Sequence, residues 1–539
     1  MDIIKQARSF LKERTKELLV LSVAFACSFS VARAETLRYV PVGDLRVLDP
    51  VWTSAAITLS HGQMIYDVLL TTDSAFRPRL QMAESYTRSD DGMTWRFVLR
   101  PGLEFHDGSP VRAQDVAASI RRWAQRVTAG QALAARAKSI AAIDDRTIEI
   151  ALNKPFGPVL ETLASPVLAP FVMREQDAAI DGFTQVKSTV GSGPFTFAAA
   201  EYRAGDRAIY RRNPAYAPRA EPPDGYSGGK TVFLDAVEWR YLPDPATAVA
   251  ALQAGEVDFL ESVPADLVPL LRARRDVMLQ VLNLSGSIGT IRPNALVPPF
   301  NDPRARQALL LLVDQKLFSD SMVSDPSLAR ACTALFVCGT PYASDIASAP
   351  WAKPDVAKAK QLLAEAGYRG APVVLLDPAD QPEIHMIALL TADALRSAGV
   401  NVDLQTMDWS TVITRRNTRE APAQNPAGWN LAFTLWGGFS LASPLTNTPL
   451  VTSCDGKNLY GWPCDAKIEA LRDGFLDAPD DAARMRVTEA LQARYYEIVP
   501  YVSTGIFQKP VAYRNNISGL LTTPYPVMWN VRKSVTPRQ

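Results

Sequence analysis

The chain has 539 residues, 57 Lys/Arg against 56 Asp/Glu, a formal charge of +1 and a mean hydropathy of −0.03. So balanced a charge gives no global field toward nucleic acid or anionic lipid, and beyond the first 34 residues no stretch approaches membrane-spanning length. The chain is too long for a single hydrophobic core, so two or three domains are expected.

The first 34 residues are ordered like a secretory signal. Lys5, Arg8, Lys12, Arg14 and Lys16 lead into an apolar run from Leu18 to Ala32, and Ala32-Arg33-Ala34 offers small residues for cleavage. An apolar run of about 15 residues is shorter than the roughly 20 that span a bilayer, which predicts cleavage after Ala34 and a soluble periplasmic product. Cys27 follows Ala24-Phe25-Ala26, a poor match to a lipoprotein cleavage box. Without the six basic and three acidic residues of residues 1–34, the formal charge moves from +1 to −2.

Further along, Tyr86 to Arg88 and Thr94 to Leu99 flank Ser89-Asp90-Asp91-Gly92, a hairpin turn signal. Val116, Ile120, Trp123 and Val127 share one helical face, and Trp123 is read as core. Pro214 to Pro223, leading into Gly225, Gly228 and Gly229, reads as a long surface loop. Pro245 to Gly255 reads as helix and stop, followed by a strand from Val257 to Leu260. Asp302 before Pro303 and Asp355 before Ala359, Leu362, Leu363 and Ala366 are helix starts, and Gly367 stops the second. A helix from Pro382 to Gly399 and a strand from Val400 to Leu404 repeat the order, and this alternation is an α/β pattern.

Past the signal there are four cysteines in two close pairs, Cys332 with Cys338 and Cys454 with Cys464. In an oxidising compartment these read first as disulfides. A metal site is the competing reading, but neither pair is C-x-x-C, and His61, His106 and His385 all lie far from them in sequence. Gly229-Lys230-Thr231 resembles the end of a phosphate loop, yet Asp224 stands where that motif needs glycine. No H-E-x-x-H or G-x-G-x-x-G occurs, and no catalytic residue, cofactor or metal is predicted.

The stretch from Thr94 to Val116, TWRFVLRPGLEFHDGSPVRAQDV, resembles the signature hairpin and helix of the family 5 extracellular solute-binding proteins, which includes dipeptide, oligopeptide and nickel receptors. Arg112 stands where that family usually has a small hydroxyl cap. Other blocks follow in the family's order: Leu48-Asp49-Pro50, Gly191-Ser192-Gly193-Pro194-Phe195, Arg212-Asn213-Pro214, then the runs from Ala250 to Asp258, Pro299 to Ala308 and Ala359 to Tyr368. Together they cover nearly the whole chain after the signal.

The resemblance implies an α/β, two-lobed periplasmic binding protein fold of type II, cluster C, with an extra subdomain in lobe one. On that basis 1–34 is signal, 35–288 and 507–539 form lobe one with 67–188 as its extra subdomain, and 289–506 form lobe two. The crossings are expected near Asn283 to Ile291 and Ser503 to Lys509, with Gly505 as a flexible point. The implied function is the substrate-binding component of an ABC importer, delivering its ligand to permease subunits and acting as a monomer, without nucleic acid. A chemotaxis receptor of the same fold and a periplasmic hydrolase are the alternatives.

In the peptide receptors an aspartate three residues after a tryptophan holds the peptide amine. Here that tryptophan matches Trp436 and the aspartate position is Phe439, in Trp436-Gly437-Gly438-Phe439. The arginine for the peptide carboxylate, expected near Leu376 to Asp380, is replaced by Asp377 and Asp380. Ordinary dipeptides are therefore disfavoured, because an unpaired buried charge costs several kcal/mol. The expected ligand is a small organic solute or modified peptide. The expected contacts are Trp52, Thr53, Ser54, Trp409, Arg416, Trp436, Gly437, Phe439 and Asp377.

Overall fold

The computed structural model describes residues 35–534, so the expected signal with Cys27 lies outside the described residues. Local punctuation becomes structure where it was read. The Asp244 carboxylate accepts from Thr247 N at 2.7 Å, Pro245 opens the helix Pro245–Ala254, and Gly255 closes it at φ 76°. Asp302 and Asp355 cap Pro303–Leu312 and Val356–Glu365 in the same way. At the helix Ala113–Arg126 the missing hydroxyl cap is made good in part from within: Arg112 N donates to Asp115 Oδ2 at 2.8 Å. Trp123 is fully buried.

The α/β architecture is built on two large sheets. The first has seven strands, in order Val277–Gln280, Val511–Arg514, Phe259–Leu260, Thr36–Val40, Ala236–Arg240, Arg207–Arg212 and Phe195–Phe197. The second has six, in order Ala329–Arg330, Val502–Phe507, Ser287–Pro293, Leu431–Gly437, Val373–Pro378 and Val402–Met407. The hairpin of Ala83–Arg88 and Thr94–Leu99 belongs to a separate four-stranded sheet with Thr147–Leu152 and Ala137–Ala142. That sheet and the helix Ala113–Arg126 share a core with the seven-stranded sheet, while the six-stranded sheet packs its own. The molecule thus has two lobes.

Two buried ion pairs pin the first lobe. Arg122 Nη2 lies 2.7 Å from Asp49 Oδ2, and Lys230 Nζ lies 2.8 Å from Asp67 Oδ1, all four side chains being almost wholly out of solvent. Tyr216 donates to Asp67 at 2.8 Å, and Lys230 rests over the Trp529 ring. This corrects the surface-loop reading of residues 214–229. The proline-rich part is largely exposed, but from Gly225 the chain turns inward so that Lys230 can meet the buried carboxylate.

Gly505 also departs from expectation. It sits inside the strand Val502–Phe507 at φ 89°, opposite an irregularity in the pairing with Ser287–Pro293, and a Cβ there would meet Gln315 O at 2.6 Å. Glycine is required by close backbone approach, not by a flexible crossing.

The four cysteines form Cys332–Cys338 and Cys454–Cys464. Thiol titration of the unfolded, unreduced protein beginning at residue 35 is predicted to find no free thiol. Lys230→Met, which strands Asp67 in the interior, is predicted to cost about 3–5 kcal/mol in chemical denaturation; a loss below about 1 kcal/mol would refute that role.

Candidate functional site: the cleft between the lobes

The chain passes between the two sheets twice. Residues 281–286 join Val277–Gln280 to Ser287–Pro293, and residues 508–510 join Val502–Phe507 to Val511–Arg514. Thr36–Val40, Ala236–Arg240 and Phe259–Leu260 run parallel, as do Val373–Pro378, Val402–Met407 and Leu431–Gly437. In such sheets ligands settle beyond the C-terminal strand ends.

Two chambers lie between the lobes. One, of about 620 Å³, is walled by Pro245, Val263 and Leu267 from lobe one, Met322 and Met386 from lobe two, and Lys509 from a crossing. Lys509 is ion-paired there with Glu383. The other, of about 530 Å³, is walled by Phe76, Pro78 and Glu161 from lobe one and by Tyr342, Phe439 and Met485 from lobe two. Both are of a size and apolarity that suit a small organic molecule.

Direct contacts tie the lobes together beside the second chamber. Glu161 Oε1 accepts from Tyr342 Oη at 3.1 Å and lies 3.2 Å from Arg484 Nη2, while Arg484 Nε donates to Tyr342 Oη. Arg136 pairs with Asp477, and Gly157 N donates to Leu476 O at 2.8 Å. A Cβ on Gly157 would lie 1.8 Å from Ala478 O, so the lobes come this close only because residue 157 has no side chain. Burial raises the Glu161 carboxyl, and Arg484 only partly offsets it. Desolvation therefore outweighs the ion pair, and this acid holds its proton more readily with the lobes together than apart.

The residues expected from sequence do not come together in one place. Phe439 is buried, walls the second chamber and meets Tyr525 of lobe one, ring centroids 5.9 Å apart. Gly437 sits beside it because a Cβ would strike the Phe439 ring at 2.8 Å. Trp436 is half-buried against an apolar cluster that includes Cys332, Ile288 and Leu441. Arg416 lies over the rings of Trp409 and Tyr460, at 5.2 and 4.3 Å, and its buried Nε has no partner among the described residues. Trp52 donates to Phe183 O and carries Arg126 over its ring; Thr53 and Ser54 follow it on the surface of lobe one. Of these residues only Phe439 walls either chamber.

Asp377 requires correction. It is fully buried and accepts from His385 Nδ1 at 2.6 Å and Thr406 Oγ1 at 2.7 Å, so its carboxylate is used inside lobe two. Asp380 accepts from Trp409 N at 2.8 Å and anchors the start of the helix Trp409–Arg415. Sequence reading missed Glu161, Tyr342 and Arg484, which come from three remote segments and carry no common motif.

A two-lobed α/β molecule with an apolar cleft between its lobes has the form of a solute receptor. Residues 77–458 match the bacterial extracellular solute-binding proteins, family 5 Middle, and the chain belongs to that family. It is 40% identical over 509 residues to a probable peptide ABC transporter periplasmic-binding protein, y4tO, of Sinorhizobium fredii, covering 94% of each chain. It is 25% identical over 525 residues to the glutathione-binding protein GsiB of Escherichia coli, covering 94% of this chain and 96% of that one. Among solved structures it resembles AgaA of A. tumefaciens R10 in complex with agropinic acid, with TM-score 0.73, 22% identity, and 93% and 99% of the two chains covered. A dipeptide-binding protein from Pseudoalteromonas in complex with Met-Leu gives TM-score 0.73 at 18% identity, with 93% and 100% covered. The chain is a solute-binding component of an ABC transporter and not an enzyme.

Arg484→Met leaves Glu161 enclosed without its cation, and we predict at least a ~10-fold loss of affinity for the solute released from the purified protein. Adding Glu161→Gln should restore most of it, and failure of that rescue would show that the pair does not hold the lobes. Because the carboxyl is raised in the joined lobes, contact is favoured at low pH and weakened as pH rises through its titration range. Affinity should therefore rise modestly from pH 8 to pH 5, and Glu161→Gln should flatten that slope.

Proposed function

We propose that this protein is exported by cleavage after Ala34, works in the periplasm as a monomer, and encloses a small organic solute or modified peptide for delivery to the membrane subunits of an ABC importer. Ser287, Ile288 and Phe507 pair within the six-stranded sheet, so residues 35–286 and 508–534 act as one lobe, with 67–188 as its extra subdomain, and 287–507 act as the other, a small shift from the bounds 288/289 and 506/507 expected from sequence. Ligand bridging both lobes shifts the population toward the closed form, by its difference in affinity for the two. The single observation that carries this reading is the cleft between the lobes: apolar chambers with walls from both, beside a half-buried Glu161–Arg484 contact that only joined lobes can make.

Phe439 bears on the ligand. A free peptide amine there meets an aromatic ring instead of a carboxylate, and cation–π attraction of about 0.5–2 kcal/mol does not replace a charge-assisted pair. The relative named as glutathione-binding supports a modified peptide. Trp52, Thr53 and Ser54 would contact the ligand from lobe one, and Trp409, Arg416, Trp436 and Gly437 from lobe two, with Arg416 offering its unpartnered Nε to an anionic group.

Mass spectrometry of solute released from the purified protein, followed by calorimetry with that solute, tests the reading. The solute is predicted to rebind, Met-Leu is predicted to give no heat at micromolar protein, and Trp409→Ala is predicted to weaken the solute at least ~10-fold. Micromolar binding of Met-Leu would place the protein with receptors of unmodified dipeptides.

A further inference from the structure

The short hairpin of Leu70–Thr72 and Pro78–Leu80 carries its turn, residues 73–77, to the wall of the second chamber. Phe76 stands in that turn, half-buried, lining the chamber, with its backbone at φ 60°. A bulky side chain rarely takes this left-handed conformation, in which Cβ crowds the following carbonyl and glycine is at ease.

The shape of the turn is imposed by residues other than Phe76. Asp73 is buried, and its Oδ1 accepts from Ala75 N and Arg77 N, both at 2.9 Å, while its Oδ2 accepts from Arg79 Nη2 at 2.8 Å. Asp73 N donates to Arg77 O at 3.1 Å and Phe76 N to Asp73 O at 3.0 Å, which closes the turn. A second segment braces it from outside. Ser74 N donates to Asp224 Oδ1 at 3.2 Å, and Gly225 comes so near that a Cβ there would lie 2.7 Å from Ser74 N. None of these bonds uses the Phe76 ring, so the same turn would form with glycine at 76.

A purely structural role would be to fill the crevice beside the turn, which Phe76 borders with Tyr226 and Leu282. A ring left half in solvent gains only part of its burial there, against a backbone cost that glycine would avoid. What the ring alone supplies is an aromatic face on the chamber. Phe439 supplies another from the opposite lobe, so this apolar space of about 530 Å³ has one ring on each side of the cleft.

We propose that Phe76 is a specificity-determining contact, and that it and Phe439 hold between them a flat apolar group of the solute, an aromatic or conjugated ring. The inference rests on the receptor reading above and deepens it by naming the kind of group that the second chamber takes. Because the two rings belong to different lobes, a flat group touches both only when the lobes are together, and that difference favours the closed form. The turn at Asp73 holds Phe76 in an unsuited conformation so that the ring is in place before the solute arrives.

The test compares Phe76→Gly, Phe76→Ala and Phe76→Tyr with the natural sequence, in the protein beginning at residue 35. Melting temperatures are measured beside affinities for N-phenyl-1-naphthylamine, a flat uncharged fluorophore, and for the solute that mass spectrometry finds released on denaturation. Glycine fits the left-handed turn, so Phe76→Gly is expected to melt within ~3 °C of the natural sequence and above Phe76→Ala. Both are expected to bind fluorophore and solute at least ~10-fold more weakly, while Phe76→Tyr keeps most of the affinity. The released solute is expected to displace the fluorophore and to carry an aromatic or conjugated ring. Unaltered affinity in Phe76→Gly, a rebinding solute without such a ring, or a melting temperature that falls further than that together with affinity would overturn the inference and leave the receptor reading standing. No released solute and no binding of the fluorophore would remove the receptor reading itself.

Discussion

Everything this molecule can do as a receptor depends on how little chain joins its halves. The seven- and six-stranded sheets share no strand, and only residues 281–286 and 508–510 pass between them. The pairing of Ser287 with Phe507 brings both passages together at the ends of two adjacent inner strands of the second sheet. Side chains that close the cleft must therefore come from surfaces distant in sequence. Glu161, Tyr342 and Arg484 do so, and burial raises the Glu161 carboxyl by more than Arg484 lowers it. A contact opposed by desolvation in this way is reversible, whereas a strongly favourable pair would hold the lobes shut without ligand.

What was legible in the sequence was what is decided locally. Asp244, Asp302 and Asp355 each place a short acceptor before a helix, and Gly255 and Gly367 each take the left-handed stop, whatever the rest of the chain does. The Asp-Gly turn, the cysteine pairs and the core role of Trp123 are likewise short-range or compositional. Phe439 was reached through a resemblance at one position, and it does wall a chamber.

The misreadings have a common physical source. All six residues of Val373–Pro378 are buried, so no alternation of polar and apolar residues shows which way Asp377 points, and its partners His385 and Thr406 settle it only in space. Gly505 looked mobile because glycine permits many conformations, whereas here it is needed for a single crowded one. Lys230 looked exposed because glycines and prolines precede it, and the buried acid that draws it in lies on a distant segment.

The seven-stranded sheet has a consequence for how the protein is made. Val511–Arg514 lies between Val277–Gln280 and Phe259–Leu260, yet it is synthesised only after the whole of the second lobe. Asp258 likewise waits, beside Arg38, for Lys533 to complete its neutralisation. The second lobe can reach its native pairing while the first still has a gap in its sheet and an edge open on either side of it. A chain stalled at that point would offer those edges to other unfinished chains. Safe assembly therefore favours letting the whole length of the chain arrive before the first lobe closes around its late strand.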